Sequence, residues 1–473
     1  MTTIQEKPEV QQAEPAVEQE EWKPDPNVPY LGRSVEMVGP WEPIKASENP
    51  HEKNKRGELG KPLFNWYFNR TSKDPLGRIS FIQSSADKRN VAFFAVGQAP
   101  KGKINDDKVK ETDPKVLTKH IKRVAHYMGA DIVGITGVHP SFLYSDGAEV
   151  DNLSAVPGTA QKNEAEQGTS IPDRYPYAIV ITVAWDYDKI QAHRHHIGDH
   201  AYHFSQAKLG AIYENLVRYI KEMGYSAVRN LAQPMPTALS AGLGEMGRNG
   251  ILITEKYGAR IHLSSPILTD MPLLTDKPID IGVSDFCARC RKCATTCPTN
   301  SITMEDKVVH NGIKKYKLNW ETCYRLRAYV MDFWEVCMSC VTICPYTKPR
   351  RWWHDLAIKS LKWTPVPLRA GVVWPLKWID DVFWGTVPRK RVKWLDYDTA
   401  IYHGKTPGKN GAGANGHGAN GHSENGLNGS NGNGAHEAPD PKSKIGYYHP
   451  LKENTRRFDL LKEREQQKAG RAK

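Results

Sequence analysis

The sequence predicts a mixed α/β (α+β) core followed by a bacterial ferredoxin-like two-cluster domain. Two observations carry that reading. Between residues 114 and 283, helical and strand-like apolar patterns alternate, as they do where helices pack on a sheet. Beyond them, all eight cysteines fall between Cys287 and Cys344, and the first four follow C-x2-C-x2-C-x3-C-P, the run that holds bacterial ferredoxin clusters.

Taken in order, residues 1–30 are rich in Glu, Gln and Pro, too polar to bury a core, and are expected to be disordered. In the N-terminal region 31–113, short aromatic and β-branched runs alternate with turns from Asn65 to Val96. The spacing of Val116, Leu117, Ile121, Val124 and Ala125 predicts a helix over Pro114–Met128, leading into a short buried strand, ADIVGITGV. A second strand, Tyr177–Trp185, is a near-continuous apolar run, which suits a sheet covered on both faces. A long amphipathic helix is expected over Ser205–Met223, ended by Gly224. The glycine-studded AGLGEMGRNG follows, then two strand candidates, GILIT and ARIHLSSPI. The core is bounded at 114–283 and the cysteine domain at 284–350.

Residues 351–406 form a Trp-rich stretch, with seven of the 13 Trp between Trp352 and Trp394. Pro365, Pro367 and Pro375 are expected to break any long helix there. Wrapping of the core is the plain reading. The sharper one is a peripheral membrane or partner surface, because Lys359, Lys362, Lys377 and Lys393 are interleaved with the Trp. Residues 407–440 read as a Gly/Asn-rich flexible linker and 441–473 as a charged tail.

The chain has 473 residues and is 39 % hydrophobic, with a mean hydropathy of −0.59. No run approaches the roughly 18–20 apolar residues of a membrane span. The acidic N-terminus has no apolar h-region and no twin-arginine pair, so a cytoplasmic location is expected. In that reducing setting, cysteines read as metal ligands before they read as disulfides. The net charge is +12, but Lys and Arg are spread along the chain. That distribution suits an acidic partner, such as a small electron carrier or a phosphate-bearing cofactor, and no nucleic-acid interface is predicted.

The second cysteine group ends in Cys337, Cys340 and Cys344 before Pro345, repeating C-x2-C-x3-C-P, with Cys323 fourteen residues upstream. Thiolates suit the soft iron of a cluster, and tight loops let three reach one cube. The trailing proline turns the fourth cysteine toward the other cluster. One 4Fe–4S cluster is therefore assigned to Cys287, Cys290, Cys293 and Cys344. The second is assigned to Cys297, Cys323, Cys337 and Cys340. Zinc more often uses two separated cysteine pairs, and has no need of the three-plus-one run or the proline.

Such a cluster domain needs only a small part of this length. YAIVITVAW, GYSAVRN, AGLGEMGRNGILITEKYGARIHL, LTDMPLLTDKP and the two cysteine groups together resemble the corrinoid iron–sulfur reductases. These comprise the reductive dehalogenases and the epoxyqueuosine reductases, and the likeness runs from Pro114 to Pro349. It implies a nitroreductase-like core that holds cobalamin base-off, with the ferredoxin domain packed against it. It also implies reductive removal of halide from an organohalide by Co(I), fed by an external ferredoxin or flavodoxin. The D-x-H-x-x-G loop of His-on corrinoid proteins is missing: HRHHIG places His193 where Asp belongs. An epoxyqueuosine reductase-like enzyme, another corrinoid reductase, and a non-catalytic iron–sulfur carrier remain as alternatives.

By the same resemblance, Tyr202 is the proton donor. A cation near a phenol favours phenolate and orients the donor. His262 stands where Arg or Lys is expected, and Arg260, two residues earlier, shares its strand face. The acid pair is thus Tyr202 with Arg260 or Tyr202 with His262. Gly242, Gly244, Gly247 and Gly250 would let backbone approach a flat cofactor or its phosphate, unless they serve packing alone. Arg248, Asn249 and Asn230 are further corrinoid-binding candidates. Ala201 precedes Tyr202 where epoxyqueuosine reductases place an Asp acid, although Asp199 is near.

Overall fold

The computed structural model describes residues 29–39, 41, 44–60, 104–145, 170–191, 196–229, 231–329 and 337–386. The Asn65–Val96 runs, His193, Asn230, Lys393, the linker, the charged tail and nearly all of the first 30 residues lie outside the described residues.

The core is built on one sheet. Its central strand is β3 (Tyr177–Ala184), flanked on one side by β2 (Ile132–Gly137) and on the other by β8 (Ile267–Thr269), which in turn pairs with β4 (Ala227–Val228). β7 (Ile261–Leu263) also pairs with β3. Every one of these ladders is antiparallel, so the core is α+β rather than parallel α/β. The apolar run in β3 has the cause expected of it, since Ala178–Val183 are all buried. Alternate residues serve opposite faces. Ile179, Ile181 and Val183 join a cluster with helices α1 (Pro114–Tyr127) and α2 (His196–Glu222). Val180 packs on the other side with α3 (Pro234–Ser240), Leu243 and β6 (Leu252–Ile253).

Local chemistry sets the ends of these elements. The Asp113 carboxylate accepts from the Lys115 N–H, and Pro114 occupies the first helical position of α1. Leu117, Ile121 and Ala125 form its buried stripe, whereas Val116 is exposed. α2 starts nine residues earlier than the sequence predicts, and Tyr202 therefore lies within its second turn rather than before it. Gly224, with φ +84°, stops the helix. The predicted strand ARIHLSSPI is broken into β7 and β8. Pro266 between them has no N–H for a ladder.

The cysteine region hangs from this core. α4 (Val283–Cys290) carries Cys287 and Cys290, and α5 (Lys292–Thr295) carries Cys293. Between them Arg291 takes φ +54°, which turns the chain sharply. A small antiparallel sheet joins β1 (Glu36–Met37), β10 (Ile313–Lys315) and β9 (Val308–His310). α6 (Trp320–Tyr329) carries Cys323 and α7 (Ser339–Thr342) carries Cys340.

A hairpin of α8 (Trp352–Trp363) and α9 (Arg369–Trp384) closes the described chain. Pro365 and Pro367 separate the two helices, but Pro375 sits inside α9 without breaking it, contrary to the sequence expectation. Wrapping is also only partial. Ile358, Leu361 and Val373 are buried, while Trp352, Trp363, Trp374 and Trp378 are exposed.

Candidate functional site

Cys344, from the second motif, lines one cavity together with Cys287, Cys290 and Cys293 of the first. Burial is the main cause that raises these thiols, Cys344 to about 12; neighbouring thiolates add to it at Cys287, Cys293 and Cys344, and Asp380 adds to it at Cys290. Cys340 is raised likewise by burial and by Cys337, Cys323 and Cys297. None of the eight cysteines is in a disulfide. Among the described residues, no three His, Cys, Asp or Glu side chains converge tightly enough to hold a single metal ion. Four soft donors around one cavity suit an iron–sulfur cluster. Further polar groups reach the sulfurs: the Ser301 N–H donates to Cys297 Sγ at 3.3 Å, and the Ser339 hydroxyl lies 3.4 Å from Cys337 Sγ.

The start of α4 is held from the core. Glu245, in β5 (Glu245–Met246), is fully buried, and its Oε2 accepts from the Ile281 N–H at 2.8 Å and the Val283 N–H at 3.0 Å. This carboxylate meets one orphan donor of the helix N-terminus, the Val283 N–H. Burial nonetheless outweighs the two bonds and raises its pKa.

The other cluster of interest is aromatic. Tyr202 and His262 face each other with ring centroids 4.9 Å apart, and Trp185 meets Tyr202 edge-on at 5.5 Å. His262 reaches this point because β7 pairs Val183 with it. Arg260 goes elsewhere. It precedes β7, and its Nη1 donates to the Trp185 carbonyl at 2.5 Å while the guanidinium lies over the Tyr257 ring. Burial lowers its pKa against the opposing pull of Tyr257 and Asp131. Of the two acid pairs left open by the sequence, this packing brings together Tyr202 and His262.

Tyr202, Trp185, Cys287, Cys290, Cys340 and Cys344 belong to one packed apolar region. An aromatic pair and the cysteines of a cluster domain therefore share a core. Residues 286–348 match the family described as the 4Fe-4S dicluster domain. The tetrachloroethene reductive dehalogenase of Sulfurospirillum multivorans is 30% identical over 267 residues, covering 52% of this chain and 53% of that protein. In sequence the chain is similar to the reductive dehalogenases. It spans about half the length of the curated relatives it matches. An epoxyqueuosine reductase from Lactococcus garvieae (strain Lg2) is a more distant relative, 25% identical over 157 residues, 32% of this chain and 43% of that one. The fold resembles that of the catabolic reductive dehalogenase NpRdhA, with a TM-score of 0.61 at 24% identity, over 76% of this chain and 49% of that chain.

The glycine block pairs close contacts with unusual backbone angles. A Cβ on Gly242 would collide with the Lys277 carbonyl, and one on Gly244 with the Ile253 carbonyl. At Gly247 it would meet Ile253 and Asn249, and at Gly250 Leu318. Gly242 and Gly250 also need φ near +70°. These glycines are required by packing within the chain. Arg248 turns to the cysteine domain, and Asn249 Oδ1 accepts from the Ile251 N–H. Packing within the chain therefore accounts for the glycines of this block.

Three groups were not singled out in the sequence. Trp185 ends an apolar run and gives no sign of its partners; its Nε1 is buried without a hydrogen-bond partner among the described residues. Glu245 was visible only as a charge inside the glycine block. Lys292 lies between two cluster cysteines, and nothing local announces its partners Asp380 and Asp381 on α9.

Proposed function

We propose that this chain is a corrinoid- and iron–sulfur-dependent reductase that removes halide from an organohalide. One observation supports this above the rest: Tyr202, stacked against His262, packs into the same apolar cluster as Cys287, Cys290, Cys340 and Cys344. Cys287, Cys290, Cys293 and Cys344 would hold one 4Fe–4S cluster, and Cys297, Cys323, Cys337 and Cys340 the other. When bound, clusters pass single electrons and a corrinoid supplies low-valent cobalt able to break a carbon–halogen bond. The carbon left behind gains a proton, and Tyr202 is the acid placed to give it. His262, against its ring, would orient the phenol and favour phenolate when protonated. Trp185 packs on Tyr202 and narrows its freedom to rotate. An external ferredoxin or flavodoxin would supply the electrons. The nitroreductase-like description of the core belongs to the same proposal.

Metal analysis tests the reading first: roughly eight iron and one cobalt per chain are expected after cobalamin is supplied. Iron without cobalt would favour a carrier that lacks the chemistry. Tyr202→Phe should abolish turnover of an organohalide while leaving iron and cobalt bound. His262→Arg should keep turnover and flatten its pH dependence, because arginine stays charged. Full activity in Tyr202→Phe would remove the tyrosine from the mechanism. Cys297→Ala should erase the spectrum of the second cluster and spare the first, although it lies in the first motif.

A further inference from the structure

Arg248 is the residue whose placement the proposed chemistry leaves unexplained. It is 1 % exposed. Its Nε donates to the Cys287 carbonyl at 3.0 Å, and its Nη1 donates to the carbonyls of Thr303 at 3.0 Å and Glu305 at 2.6 Å. The guanidinium stacks 4.0 Å from the centroid of Tyr316. Nη2 is buried and has no hydrogen-bond partner among the described residues, a costly state for a charged donor. The same side chain lines the cavity of Cys287, Cys290, Cys293 and Cys344.

Other cations near this cavity already have partners. Lys292 is paired with Asp380 and Asp381. Lys348 donates to the carbonyls of Thr342 and Ile343. Lys307 donates to the Arg33 carbonyl and the Ser284 hydroxyl. Arg291 also lines the cavity, so it serves as the control.

We propose that Arg248 directs its Nη2 N–H at the iron–sulfur cluster held by Cys287, Cys290, Cys293 and Cys344, and thereby raises that cluster's reduction potential. A hydrogen bond to cluster sulfur favours the reduced, more negative state, and a fixed positive charge acts in the same sense. The fixed orientation follows from the three carbonyl bonds, which leave the guanidinium no freedom to turn. This inference rests on the assignment of a cluster to those four cysteines.

The test uses the full chain carrying both clusters, with arginine labelled by ¹⁵N in the guanidinium. Pulsed EPR of the reduced protein should show an arginine ¹⁵N coupling, retained in Arg291→Lys. Arg248→Gln should abolish the coupling and shift the midpoint potential of that cluster downward, leaving the other unmoved. A reduced cluster without arginine coupling, or a coupling lost in Arg291→Lys, would overturn the role of Arg248 alone. If Arg248→Gln does not assemble, the wild-type and Arg291→Lys spectra still decide. No reduced signal from a cluster at those cysteines would remove the cluster assignment and this role together.

Discussion

At the scale of single residues, the site depends on buried polar groups matched to specific donors. Glu245 ties the start of α4 and the residue before its cap to the core by two backbone bonds, from the Val283 and Ile281 N–H groups. Glu245→Ala would leave those donors without an acceptor, at a cost of about 1–3 kcal/mol each. Glu245→Gln keeps one acceptor and should lose much less. The pH dependence differs between them. The folded pKa of Glu245 is raised above its ordinary 4.5, so the proton is bound more tightly in the folded chain. Its stabilising contribution is greatest below 4.5 and is lost as pH rises through the folded value. Glu245→Gln should remove that slope, as denaturant melts across the range would show. An unchanged slope would mean that another group carries it.

At the scale of elements, α9 is fixed to the cluster loop by charge as well as by packing. Lys292 is 3 % exposed and Asp380 9 %, and the second carboxylate, Asp381, lies 2.7 Å from the Lys292 nitrogen. Burial opposes the charge of Lys292, yet Asp380 and Asp381 outweigh it and leave its pKa raised. Lys292→Met would strand two carboxylates, Asp380 nearly buried, and removing one partner of a buried pair costs about 3–5 kcal/mol. Equilibrium unfolding of the variant should show that loss. The outer side of α9 is different. Trp374, Trp378 and Val382 are four apart, as are Ile379 and Phe383, and all five are exposed. No helix among the described residues is long and apolar enough to cross a membrane. We propose a peripheral lipid contact for this stripe. Flotation with anionic vesicles should carry the protein at low salt, and Trp374→Ser with Trp378→Ser should reduce it. Failure of the unaltered protein to float would exclude lipid as the occupant.

At the scale of the molecule, two arginines connect three parts of the chain. Arg33 from the N-terminal segment and Arg369 from α9 both bind Asp280 and Asp285, which flank the start of α4. Burial works against ionised Asp280, but Arg369 and Arg33 together hold its pKa below the ordinary 3.8. A depressed carboxylate contributes stability above its unfolded pKa and loses it as pH falls through the folded one. Acid unfolding should therefore begin at higher pH in Arg369→Met than in the unaltered protein. Coincident acid transitions would mean that the arginines contribute nothing across this junction.

The cysteine spacing by itself determined the cluster domain, because a cube needs three thiolates close in sequence and that constraint is local. The buried central strand was legible for a similar reason: Ala178–Val183 must avoid water on both faces whatever they pack against. The strand directions were not legible, since antiparallel and parallel burial leave the same apolar run. Nor was the start of α2, where polar and aromatic residues precede the amphipathic pattern. Glycine admits any close neighbour, and only the tertiary structure showed what lies against this block: backbone at Gly242 and Gly244, and the side chains of Ile253, Asn249 and Leu318 at Gly247 and Gly250. Which of Arg260 and His262 packs on Tyr202 was likewise out of reach of the sequence. It turned on the start of β7 at Ile261 and on a carbonyl at Trp185, 75 residues from the arginine that binds it.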